Sequence, residues 1–213
     1  MVAQRQHKTF VTPEEYLERE RTAEFKSEYL DGEVFAMAGG SPTHSALIFN
    51  IGGILSPQLR GGPCRGFSSD TKVGADAAGL YSYPDLSVAC GELRFIGERQ
   101  DVLANPVLLV EVLSPSTEAY DRGKKFARYQ QITSLTDYLL VAQDEARIEH
   151  FARQPDGRWL LTTAAGSDAA LPIASLGVTL PLAEVYERIT FPAPPQPPDT
   201  TAPNGTINPE ANQ

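Results

Sequence analysis

Glu111 is a charged residue inside an apolar run, Pro106-Val107-Leu108-Leu109-Val110-Glu111-Val112-Leu113. A strand of that composition is expected to be covered on both faces. A carboxylate buried there is costly unless it is paired or holds a cation. Asp85 is its natural companion: it follows Tyr83-Pro84 and precedes a second apolar run, Leu86-Ser87-Val88-Ala89-Cys90. If the two runs pair as antiparallel strands around a loop centred near Glu98, Asp85 falls across from Glu111. Cross-strand neighbours lie about 5 Å apart, and two carboxylates at that spacing repel. A divalent cation between them is the simplest remedy. Mg²⁺ takes oxygen ligands, commonly one or two carboxylates, with water and phosphate oxygens completing its shell. Such an ion can activate water and stabilise charge developing on a phosphodiester. A lysine on the following helix adds to this: Asp121, Lys125 and Tyr129 recur at i, i+4, i+8 and share one face. Lys125 could orient the attacking water or neutralise the phosphate.

Each residue has a plainer reading. Pro-Asp is common turn chemistry. Glu111 could form a buried ion pair with an arginine or lysine. Lys125 could pair with Asp121 on the surface, and Tyr129 could simply pack. Glu28 could sit on the solvated face of an edge strand, and His44 on a helix surface. The ordered set, Pro84-Asp85, then Glu111 in its strand, then Lys125, favours chemistry over these readings.

The elements that must position this set are legible in outline. Thr12-Pro13-Glu14-Glu15 opens a helix, with Thr12 as cap, Pro13 at the first position and Glu15 completing a capping box. Asp31-Gly32 between residues 25–30 and 33–37 predicts a hairpin. Ser41-Pro42 starts a second helix whose apolar residues Ala46, Leu47, Ile51, Ile54 and Leu55 recur at helical spacing. Strands are expected at residues 64–67, 71–73, 86–90 and 106–113. A helix should follow over 118–131, then strands at 137–142, 147–153 and 158–163, and a short helix at 182–188. Residues 1–191 thus form one domain. Residues 192–213, rich in Pro, Asn and Thr, are expected to be a disordered Pro-rich tail.

Composition narrows the function classes. The chain has 213 residues, 41% hydrophobic and 21% charged, as in ordinary globular domains. No run of about 18 apolar residues predicts a membrane span. Residues 1–10 lack the apolar stretch of a signal peptide, so a cytoplasmic location is expected. Cys64 and Cys90 form no C-x-x-C pair and read as buried free thiols. His7, His44 and His150 are too scattered for a zinc motif. Neither a Gly-x-Ser-x-Gly elbow nor a phosphate-cradling Gly-Lys-Ser/Thr loop is present. The net charge of −9 argues against tight, sequence-independent coating of nucleic acid. The stretch Arg122-Gly123-Lys124-Lys125-Phe126-Ala127-Arg128 is a local basic cluster that offsets it.

Several segments carry a resemblance to a known family. They are Ser27-Glu28-Tyr29-Leu30-Asp31-Gly32-Glu33, the stretch from Met37-Ala38-Gly39-Gly40 to His44, Tyr83-Pro84-Asp85, residues 105–117, 121–129 and 137–141. Over about residues 8–190 the chain resembles the bacterial putative restriction endonuclease family of the PD-(D/E)XK nuclease superfamily. The resemblance implies a restriction-endonuclease-like α/β fold, a mixed central sheet flanked by helices. It implies Asp85 and Glu111 as ligands of Mg²⁺ or Mn²⁺, and hydrolysis of DNA phosphodiester bonds. The usual Glu-x-Lys spacing would put lysine at position 113, where this chain has Leu113. The lysine matches Lys125 on the next helix, with Lys124 one residue away as the alternative. Glu28 resembles an acidic residue that assists the metal, and His44 and Asp70 fall in recurrent segments as further assisting candidates. A homodimer would suit cutting both strands of a duplex.

Two readings from other classes compete. One is a nuclease-fold binding or scaffold protein without activity, favoured by Leu113 and the acidic composition. The other is an acidic structural protein forming homodimers, which would leave Asp85 and Glu111 far apart.

Overall fold

A computed structural model describes residues 10–75 and 79–192. Thr12 caps α1 (Pro13–Glu20) reciprocally: its hydroxyl accepts from the Glu15 N–H, and the Glu15 carboxylate accepts from the Thr12 N–H. The Asp-Gly turn joins β1 (Ser27–Leu30) to β2 (Glu33–Ala36) in antiparallel register. Asp31 and Gly32 both have positive φ, 49° and 88°, as a tight two-residue hairpin turn requires. Ser41 caps α2 (Pro42–Leu59), its hydroxyl accepting from the His44 N–H at 3.0 Å. Gly52 and Gly53 are carried inside this helix without breaking it.

The strands that follow are β3 (Cys64–Ser68), β4 (Lys72–Ala75), β5 (Leu80–Ser82), β6 (Leu86–Cys90), β7 (Val102–Leu103), β8 (Pro106–Val112) and β9 (Asp137–Val141). Then come β10 (Arg147–Arg153), β11 (Trp159–Ala165), β12 (Ala170–Ile173) and β13 (Val178–Pro181). The main sheet has six strands in the order β11-β10-β9-β8-β6-β3, with β8 and β9 parallel and the other neighbours antiparallel. A second sheet runs β2-β1-β5-β4-β7, and β12 pairs with β13.

Between β8 and β9 the chain winds through α3 (Glu118–Tyr120), a wide π-helical turn (Asp121–Lys125) and α4 (Phe126–Tyr129). The short α5 (Leu182–Val185) ends the body.

Side chains alternate across β8. Leu108, Val110 and Val112 face a core shared with Leu47, Ile51 and Leu55 of α2. Leu109 and Leu113 face a second core shared with Phe126, Tyr129 and Tyr138. Helical segments therefore cover both faces of the central strand, which explains its near-continuous apolar sequence.

Several expectations change. Cys64 and Cys90 are not free thiols: they stand opposite one another in the β3–β6 register, with Cα atoms 3.9 Å apart, and form a disulfide. The helix expected over residues 118–131 is interrupted by the π turn. Strands β5, β7, β12 and β13 are too short, or too interrupted by Pro and Gly, to show as periodic runs. The expected Pro-rich tail lies outside the described residues apart from Pro192. Among the described residues no helix is long and apolar enough to cross a membrane.

Candidate active site

The antiparallel register of β6 and β8 pairs Leu86 with Val110 and Ser87 with Leu109. One step further along the same register brings Asp85 opposite Glu111. Asp85 is tied there, since its Oδ2 accepts the Val112 N–H at 2.7 Å. His44, in the first turn of α2, places Nε2 at 3.1 Å from the same oxygen. That contact holds the imidazole above its ordinary pKa; burial opposes the shift, and the Asp85 charge adds to it.

Glu111 lies on the same face of β8 as Leu109 and Leu113, toward the helical segment. Its Oε1 accepts the Tyr129 hydroxyl at 2.9 Å and pairs with Lys125 Nζ at 2.9 Å. The Tyr129 oxygen also meets Ser82 Oγ at 2.8 Å, which ties Glu111 to β5 of the second sheet. Lys125 Nζ is 2.9 Å from Glu28 Oε1 and 3.6 Å from Asp121 Oδ1. Glu28, on β1, is held in turn by the Tyr83 N–H at 3.1 Å. Strand β1 therefore brings its carboxylate to the cluster from the second sheet, and the π turn brings Asp121 and Lys125 from above the first.

This is a buried cluster: Glu28 is 6% exposed, Glu111 5%, Asp121 4% and Lys125 4%. Burial alone would lower the Lys125 pKa. Glu111, Glu28 and Asp121 outweigh it and hold the ammonium charged, well above its usual range. Burial pushes the Glu111 carboxyl well up; Lys125 opposes this, and Asp121, Asp85 and Glu28 add to the rise. The Asp121 carboxyl is raised by burial too, against the pull of Lys125. Three carboxylates, Glu28, Glu111 and Asp121, thus surround one ammonium, a formal excess of two negative charges, and the Asp85 charge also acts on Glu111. The site is short of positive charge.

Asp85 and Glu111 suit a divalent cation. Asp85 meets the Val112 N–H and His44 through Oδ2, and Glu111 meets Tyr129 and Lys125 through Oε1. Two carboxylate oxygens are the contribution Mg²⁺ commonly takes from a protein, with water and phosphate completing the shell. Among the described residues no three His, Cys, Asp or Glu side chains form a ready-made cage. The donor set fits an ion shared with substrate better than a closed structural site.

Of the residues singled out in the sequence, Asp85, Glu111, Lys125, Glu28 and His44 come together. Lys124 is exposed and outside the cluster. Asp70 is also outside it, with an exposed side chain paired to Lys26. The basic stretch is not a free phosphate-binding surface, because Arg122 pairs with Glu118 and Glu149, and Arg128 with Asp31. Sequence reasoning placed Asp121 and Tyr129 on the face of Lys125 without assigning them to the site, and their spacing was the available signal. Ser82 and Tyr83 were missed, and only the fold brings them there.

Comparison with known proteins agrees with this architecture. The chain is 38% identical over 181 residues to the uncharacterized protein slr1290 of Synechocystis sp., across 85% of this chain and 94% of that one. It is 35% identical over 168 residues to the uncharacterized protein sll1609 of the same organism, across 79% and 95%. A crystal structure of a putative nuclease belonging to DUF820 from Anabaena variabilis matches with a TM-score of 0.62. That match covers 83% of this chain and 97% of the other at 21% identity, which shows a shared mixed α/β fold. The sequence model of the Uma2 family, described as putative restriction endonuclease, matches residues 13–183, and the chain belongs to that family.

Proposed function

We propose that the protein is a metal-dependent endonuclease that hydrolyses DNA phosphodiester bonds, with Asp85 and Glu111 as ligands of Mg²⁺ or Mn²⁺. The observation that carries this reading is the buried excess of carboxylates around one lysine, with Asp85 and Glu111 side by side on neighbouring strands. A divalent cation bound there would polarise the scissile phosphate and lower the pKa of the attacking water. The Lys125 ammonium, kept charged by its carboxylate neighbours, is placed to orient that water or to neutralise a phosphate oxygen. Glu28 and Asp121 hold the ammonium in place, and the Tyr129 hydroxyl fixes the orientation of Glu111. His44 fixes Asp85.

Leu113 bears on the rival reading of an inactive scaffold. It is buried in the core and leaves no lysine at the usual strand position. Lys125 reaches Glu111 from the helical segment instead, so the charge is supplied from another element. The test is nicking of supercoiled plasmid with Mg²⁺ or Mn²⁺, comparing wild type with Asp85→Ala. Metal-dependent nicking abolished by the substitution is expected. No nicking across several DNA and RNA substrates, together with no Mn²⁺ binding by calorimetry, would favour the scaffold.

A further inference from the structure

Among the described residues, two buried side-chain hydroxyls lack a hydrogen-bond partner, Ser87 Oγ and Tyr120 Oη. The second adjoins the candidate active site. Tyr120 ends α3 immediately before the π turn. The i→i+5 closure of such a turn puts residues five apart on one side of the helix, and Lys125 is five residues on. Lys125 Nζ is 6.0 Å from the centre of the Tyr120 ring. The charges of Glu28, Lys125, Asp121 and Glu111 all act on its phenol. The Tyr120 ring is braced by Phe35 of β2, their centres 6.0 Å apart.

A buried O–H with no partner is a standing cost, and such groups are few in native proteins. Beside a cluster of charged groups, a free donor of this kind is available to a ligand. Burial, reinforced by the Glu28 charge, pushes the phenol well above its ordinary pKa, so it stays protonated and can donate. A neutral donor suits this site, since it adds a contact to an anionic substrate without displacing Lys125 from its three carboxylates.

We propose that Tyr120 is a catalytic residue whose hydroxyl donates a hydrogen bond to a non-bridging oxygen of the phosphodiester held at Asp85, Glu111 and Lys125. The bond strengthens as negative charge builds on that oxygen during attack. This assignment rests on the nuclease reading and names a further contact to the same substrate class.

The experiment compares the full chain with Tyr120→Phe, which keeps the ring against Phe35 and Lys125. Three quantities are measured: the rate of supercoiled-plasmid nicking with Mn²⁺ at increasing DNA concentration, Mn²⁺ affinity by calorimetry, and Tm. The expected result is a fall of roughly 10- to 100-fold in kcat, with Mn²⁺ affinity unchanged. Removing an unsatisfied buried hydroxyl should at the same time raise Tm by about 2–4 °C. A merely structural hydroxyl would give a lower Tm together with the lower rate, and that result overturns the assignment. Loss of Mn²⁺ affinity overturns it too, because the effect would then act through the ligands. If wild type nicks and Tyr120→Phe nicks equally fast, the Tyr120 assignment fails and the nuclease reading stands. If wild type nicks with neither metal, the nuclease reading fails and takes this assignment with it.

Discussion

Lys125 Nζ stands 2.9 Å from Glu111 Oε1, the ammonium carried by a helical turn and the carboxylate by the central strand. Removing one side of a buried ion pair leaves the other without compensation, at a cost of about 3–5 kcal/mol. Lys125→Met should therefore destabilise by that order in urea unfolding, because Glu28, Glu111 and Asp121 all lose the same cation. It should also abolish nicking. Lys124→Ala should stay within about 0.5 kcal/mol of wild type and retain activity, since Lys124 is exposed. Similar effects for the two variants would reject the assignment to Lys125.

Divalent metal should stabilise the fold. A ligand that binds only the folded state adds about 2.7 kcal/mol when present at 100 times its dissociation constant. Thermal melts with increasing Mg²⁺ or Mn²⁺ should shift upward for wild type and not for Asp85→Ala. An equal shift in both would mean that the ion binds elsewhere.

The Tyr129 hydroxyl bridges Ser82 Oγ and Glu111 Oε1 inside the protein, where both Tyr129 and Ser82 are 0% exposed. Tyr129→Phe should cost about 1–3 kcal/mol, the penalty for leaving buried polar partners unsatisfied. Nicking should slow as Glu111 loses its tether. A stability unchanged from wild type would show that the bridge is not formed in solution.

Away from the site, Asp137 supplies a pH dependence. Burial works to raise its carboxyl, but bonds from His150 Nε2 at 2.7 Å, Ser175 and Thr136 at 2.6 Å hold it below its ordinary value of 3.8. The folded pKa is thus lower than the unfolded one, so the unfolded chain binds the proton more readily. The stabilisation is present above about pH 3.8 and is lost as the pH falls through the folded value. Asp137→Asn should be less stable than wild type at pH 7 by about 1–3 kcal/mol. The gap should narrow below about pH 3.8. A gap independent of pH would assign the loss to packing.

Local chemistry made much of this arrangement readable. The Thr12 capping box, the Asp31-Gly32 turn and the Ser41 cap are short-range devices, and each forms as its residues dictate. Glu111 was legible because a charge in an apolar strand demands a partner. Asp85 was legible because strand register is arithmetic once two strands are paired. The contributions of Ser82 and Tyr83 were not legible: they come from the three-residue β5 and the residue just after it, too short a run to show a period, and no local rule specifies which sheets meet. The Cys64–Cys90 pairing was hidden for a related reason. The spacing of the two cysteines suggests nothing, and only the β3–β6 register sets them face to face. The interruption of the helix after Tyr120 was also invisible, since residues 118–131 satisfy an ordinary helical pattern.

That wide turn acts as a phase setting. A Cβ at Gly123 would meet nothing within 4 Å, so the residue contributes length rather than contacts. Deleting it would rewind the segment toward a regular α-helix and swing everything upstream by about 100° relative to Lys125 and Tyr129. Lys125, Phe126 and Tyr129 would stay keyed to the core while Tyr120 and Asp121 turned off the cluster. One residue of chain, with no side chain of its own, decides how many groups the helix can aim at a single point.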